Sequence, residues 1–116
     1  MNTELITAIQ SIVDGVLPDP NCVPPNPIFD SHFVIDMLIK KHSDVYLRFA
    51  AGVANGFNGP NLTTEVHRQI ALYHINQCCE RVKIDGIEAQ SYSENIHGGP
   101  SACACWRRRP TSHQLT

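Results

Sequence analysis

His97, Cys103, Cys105, Trp106 and the run Arg107-Arg108-Arg109 fall close together near the C-terminus, around the bend-forming Gly98-Gly99-Pro100. These side chains suit recognition. An indole stacks on a base or fills an apolar pocket, and a guanidinium grips phosphate or carboxylate through paired donors. Tryptophan and arginine are also the residues that most often anchor protein interfaces. The pattern points to a contact surface made of His97, Trp106, Arg107, Arg108 and Arg109, and to a protein partner with an acidic face. The duller reading of the same residues is that Trp106 caps the core while the arginines form a solvated helix end. Asn95, Ile96 and His97 then form a turn whose polar side chains bond their own backbone.

Two rival chemistries use the same segment. In the first, the arginine run and Lys40-Lys41 hold nucleic-acid phosphates, although the chain has a formal net charge of -2 and no helix-turn-helix pattern. In the second, His97, Cys103 and Cys105 join Cys78 or Cys79 around a zinc ion. The cysteines occur as Cys-Cys and Cys-x-Cys, not as the Cys-x-x-Cys knuckles of structural zinc sites, so no metal and no cofactor are assigned. His97 beside Cys103 or Cys105 also lacks the surroundings of a known nucleophile, and no acid, base and nucleophile converge by spacing. The chain is therefore read as a non-enzyme.

His67, His74 and Cys78 lie along one side of a predicted helix. Only His74 and Cys78 are one turn apart, and both are read as core or boundary residues.

These groups must be positioned by a small chain. Its 116 residues, 42% hydrophobic and 17% charged, describe one globular domain over 1–116. The negative balance gives no global field towards nucleic acid or anionic membrane. No apolar run is long enough to span a bilayer, so no membrane partner is expected. The odd count of five cysteines, four of them in two close pairs, fits reduced thiols and a cytoplasmic location better than a disulfide framework.

Leu5, Ile9, Ile12, Val13 and Val16 recur at helical spacing after Thr3, predicting a helix over 4–16. Residues 17–28 form a proline-rich connector. Asp30 is a helix N-cap with Phe29 and Val34 placed as a hydrophobic staple. His42-Ser43-Asp44 marks a break, and Asn55-Gly56 a left-handed stop. Thr63 or Thr64 caps a central helix from 65 to about 82. Asp85-Gly86 suggests a two-stranded element near 82–92. Pro100 opens a short closing helix through Arg109, and 110–116 form a loose tail.

The expected fold is thus mostly α, a compact single-domain bundle of four to five helices. The expected function is an intracellular binding or regulatory module acting through its C-terminal Trp/Arg surface, with a homodimer also compatible.

Overall fold

Asn2 opens the first helix, its Oδ1 accepting the Leu5 amide at 2.9 Å. The helix α1 runs Thr3–Asp14 and turns Leu5, Ala8, Ile9, Ile12 and Val13 inward. Its cap lies one residue earlier than Thr3, because asparagine satisfies the free first-turn amides equally well. The structure, a computed structural model, describes residues 2–17, 21 and 27–109. Most of the proline-rich connector, Cys22 and the tail 110–116 lie outside the described residues.

A short strand β1 (Ile28–Asp30) leads directly into α2 (Ser31–Lys41). Asp30 caps it as the sequence predicts, accepting the Phe33 amide at 2.8 Å. His42, at φ -136° and ψ 46°, breaks the chain between α2 and α3 (Ser43–Asn55). Gly56 ends α3 at φ -112°, so the expected left-handed stop is replaced by an ordinary unwinding.

The central helix starts earlier and ends sooner than the apolar pattern implies. It comprises α4 (Leu62–Ile70), a π-helical turn Ala71–Ile75 and a last turn α5 (Asn76–Cys78). Asn61, not Thr63 or Thr64, sits at its start. From Cys79 the chain is extended as β2 (Cys79–Arg81), so Cys79 and Val82 are buried as strand and connector residues.

The hairpin β3 (Lys83–Ile84) and β4 (Ile87–Glu88) turns at Asp85 and Gly86, whose φ values are +52° and +81°. Two successive positive φ angles match strand twist, which is why Asp-Gly forms this turn. The two-stranded element expected near 82–92 is present.

The largest departure is the C-terminal segment. Pro100–Arg108 is a nine-residue strand, β6, and not a closing helix. It pairs with β5 (Gln90–Glu94) through its first half, and with β1 and β2 through its second. The fold is therefore mixed, four helical rods with two small sheets among the described residues, rather than a helical bundle. Ala102, Ala104 and the arginines favour a helix on their own, so local propensity is overridden here, and proline is as acceptable at the first position of a strand as at that of a helix. Three strand partners then decide the matter.

The core lies between the helices and this strand: Leu5, Ile9 and Val13 of α1, Val34 and Leu38 of α2, Val66 and Ile70 of α4, and Trp106 of β6. No helix among the described residues is long and apolar enough to cross a membrane.

Candidate functional site

The period of two along β6 sends Trp106 and Arg108 to one face. Both are buried, at 3% and 8% exposure. Trp106 Nε1 donates to Ser31 Oγ at 2.8 Å, joining β6 to the first turn of α2. Arg108 donates from Nη2 (2.9 Å) and Nε (3.3 Å) to the carbonyl of Val13 in the last turn of α1. Exposed Arg109 donates to the carbonyl of Asn76 near the end of the central helix. Two of the three arginines thus serve the negative ends of other helices, not of their own. Arg107 is half-buried, opposite Ile28 and Glu80.

The five sequence-predicted residues are therefore not brought into one outward face. Trp106 is the core cap of the duller reading, while Arg108 is neither solvated nor helical. His97 lines a cavity. It sits in a turn in which Asn95 Oδ1 accepts the amides of His97 (2.9 Å) and Gly99 (3.3 Å), as the self-bonding turn reading anticipates. Gly98 takes φ +82° there, a conformation glycine adopts without steric cost.

That cavity, about 460 Å³, lies between the start of α2, α4 and the segment joining β5 to β6. Its volume does not single it out, since clefts of about 460 and 470 Å³ exist elsewhere on the molecule. Its lining does. His32, His67, His97, Arg68 and Arg81 gather around an apolar floor of Ile35, Ala71, Leu72, Ala102 and Ala104, and none of its lining residues is acidic.

The basic groups are held by identifiable contacts. Arg81 lies over the Trp106 ring at 5.4 Å from its centroid, and its Nη1 is 3.5 Å from Glu88. Trp106 so braces a cavity residue while itself remaining inside. Arg68 forms a fork with Glu65 at 2.9 and 2.7 Å. That pairing holds the Glu65 carboxyl down at about 2. His67 Nε2 shares a hydrogen bond of 2.8 Å with the Tyr46 hydroxyl. Burial, followed by the nearby His97 and His32, lowers its pKa to about 4, so it is neutral at pH 7.

Beside the cavity a polar cluster joins three elements. Ser91 and Ser93 of β5 both donate to Asp30 Oδ2, at 2.7 and 2.8 Å. Ser93 Oγ is also 2.8 Å from His32 Nδ1, and Ser101 Oγ is 3.3 Å from His32 Nε2. Burial opposes ionisation of Asp30, but the Phe33 amide, the two serine hydroxyls and His32 outweigh it, leaving its pKa below the usual value. Cys103 adjoins this cluster. Burial raises its thiol pKa and the Asp30 charge adds to the rise; the His32 amide, the Ser93 hydroxyl and the Ser31 amide oppose it without reversing it.

The zinc set read from the sequence is not assembled. Cys78 and Cys79 are buried in the core, where desolvation raises both thiols, Cys79 to about 12. His74 is buried as well, against the edge of Phe49 at 5.0 Å. Among the described residues, the group able to hold a metal is instead Asp30, His32 and Cys103. Asp30 is legible in the sequence only as a helix cap; its second role depends on Ser91 and Ser93, whose alternation along β5 was the available signal.

Comparison with known proteins gives no match to any family model, curated protein or solved structure.

Proposed function

We propose that this chain is a small, non-enzymatic, cytoplasmic binding module that takes a carboxylate-rich stretch of a partner protein into the cleft lined by His32, His67, His97, Arg68 and Arg81. The observation that carries the reading is the donor set of that lining: two guanidinium and three imidazole side chains converge on it, and no carboxylate stands on the cavity wall. Convergent guanidinium and imidazole donors can hydrogen-bond an anionic group and orient it. The apolar floor supplies burial for the aliphatic parts of the same ligand. Both arginines already have an acidic neighbour, Glu65 and Glu88, so an incoming carboxylate competes for them and affinity is modest.

Binding is favoured over turnover because a thiol nucleophile needs a lowered pKa, whereas that of Cys103 is raised. Nucleic-acid binding has less support, since Trp106 and Arg108 are buried and so cannot contact bases or phosphates.

Calorimetric titration with a glutamate-rich peptide tests the proposal. Arg81→Gln should weaken binding about tenfold, equivalent to roughly 1.4 kcal/mol, and Arg109→Gln should leave it unchanged. Binding that depends on Arg109 more than on Arg81, or no binding, would overturn it. Affinity for duplex DNA that falls steeply with salt would favour the nucleic-acid reading.

A further inference from the structure

We infer that Asp30, His32 and Cys103 form a zinc-type metal site. The inference stands on this cluster's own geometry and does not require the cleft to bind an anion. A carboxylate oxygen of Asp30, a ring nitrogen of His32 and Cys103 Sγ all lie within 4.8 Å of one another. Ligand atoms around a tetrahedral zinc ion are about 3.3–3.8 Å apart, as follows from bond lengths near 2.0–2.3 Å, so a pair of donors at the 4.8 Å limit must approach by roughly 1–1.5 Å on binding.

Three separate elements supply the donors: the end of β1, the first turn of α2 and the first half of β6. Their convergence is fixed by outer contacts of the kind that orient metal ligands. The Ser91 and Ser93 hydroxyls hold Asp30, and Ser93 and Ser101 contact Nδ1 and Nε2 of His32; the ring nitrogen that binds the ion gives up its serine, and the other keeps its serine as the orienting contact. A carboxylate and a thiolate together balance a divalent ion, so the occupied site is neutral apart from its open position.

The mixed oxygen, nitrogen and sulfur set also discriminates. Calcium and magnesium take all-oxygen surroundings, whereas sulfur and imidazole favour zinc and its spectroscopic substitute cobalt. On binding, the Cys103 thiol loses its proton to solvent, the sulfur bonds the ion, and no electron is transferred. Three protein ligands leave a fourth position for water or for an anion. Because His32 and Cys103 also line the cleft, that position is accessible to whatever occupies the cleft.

The test is titration of the reduced, metal-free full chain with cobalt(II). The expected result is saturation at one equivalent with a thiolate-to-cobalt charge-transfer band that zinc displaces. Cys103→Ser should abolish the band, while Cys78→Ser and Cys105→Ser keep it; Ser93→Ala should weaken zinc binding about tenfold. Absence of the band in the unsubstituted chain, its survival in Cys103→Ser, or its loss in Cys105→Ser would overturn the site. Should Cys103→Ser fail to fold, alkylation of the unsubstituted chain decides. Zinc must protect Cys103 and not Cys105, and equal alkylation of Cys103 with and without zinc would overturn the inference.

Discussion

The Arg108 guanidinium donates twice to the carbonyl of Val13, closing the C-terminal end of α1 from a strand 95 residues away in sequence. A buried cation at the negative end of a helix, carrying its own hydrogen bonds, is a structural device, and it draws Arg108 out of any external surface. Arg108→Met should lower unfolding free energy by about 2 kcal/mol, since it removes the buried charge and both guanidinium hydrogen bonds from a carbonyl that keeps only the Val16 amide. Arg108→Lys should recover part of the loss, because lysine restores the charge but not the fork. Urea unfolding of the three proteins checks this; equal stabilities would contradict it.

Trp106 and Ser31 form a second such pair, and here the coupling itself is measurable. Trp106→Phe keeps an aromatic ring in the core but leaves the Ser31 hydroxyl without the Nε1 donor. A double-mutant cycle with Ser31→Ala should return a coupling of about 1 kcal/mol. Trp106→Ala should cost about 3–5 kcal/mol, a large share of a small domain's stability.

Acid should weaken the fold before its carboxylates titrate. His67 has a pKa of about 4 when folded against 6.5 when free, so between those values the unfolded chain binds more protons than the native one. Stability therefore falls as pH drops from about 6.5 towards 4. Asp30, whose pKa is lowered, adds its own loss further down, as pH falls from its ordinary value through its folded one. In urea titrations across this range, His67→Gln should show a shallower decline between pH 6.5 and 4.5. An unchanged slope would contradict the assignment.

Gly98 and Gly99 should respond differently to alanine. Gly98 holds φ +82°, so Gly98→Ala should cost about 1–2 kcal/mol and displace the His97 turn. A Cβ at Gly99 meets no atom within 4 Å, and its φ lies outside the left-handed range, so Gly99→Ala should be nearly neutral. Paired thermal melts distinguish the two.

The contrast between these positions shows what the sequence could convey. Several local signals held: Asp30 caps α2, His42 breaks the helices, Asp85-Gly86 turns a hairpin, and Asn95 folds on its own backbone, whereas the caps expected at Thr3 and at Thr63 or Thr64 lie at Asn2 and Asn61 and Gly56 is not left-handed. Each of those that held depends on interactions within a few residues. The C-terminal segment failed for the opposite reason. The local helical propensity of Ser101 to Arg108 is overridden, and three strands drawn from distant parts of the chain set its conformation. Once it is a strand, Trp106 and Arg108 turn inward together, and the residues that looked like a surface become core and cap. The same non-local pairing places Ser91 and Ser93 against Asp30, so the Asp30-His32-Cys103 group had no visible spacing in the sequence.

The most direct test of where the protein binds is nuclear magnetic resonance of the histidine rings and backbone amides during titration with a glutamate-rich peptide. The account predicts that the His32 and His97 rings and the Arg81 amide move together while the Arg107 and Arg109 amides stay in place. Movement confined to Arg107 and Arg109, with the histidines of the cleft undisturbed, would contradict it.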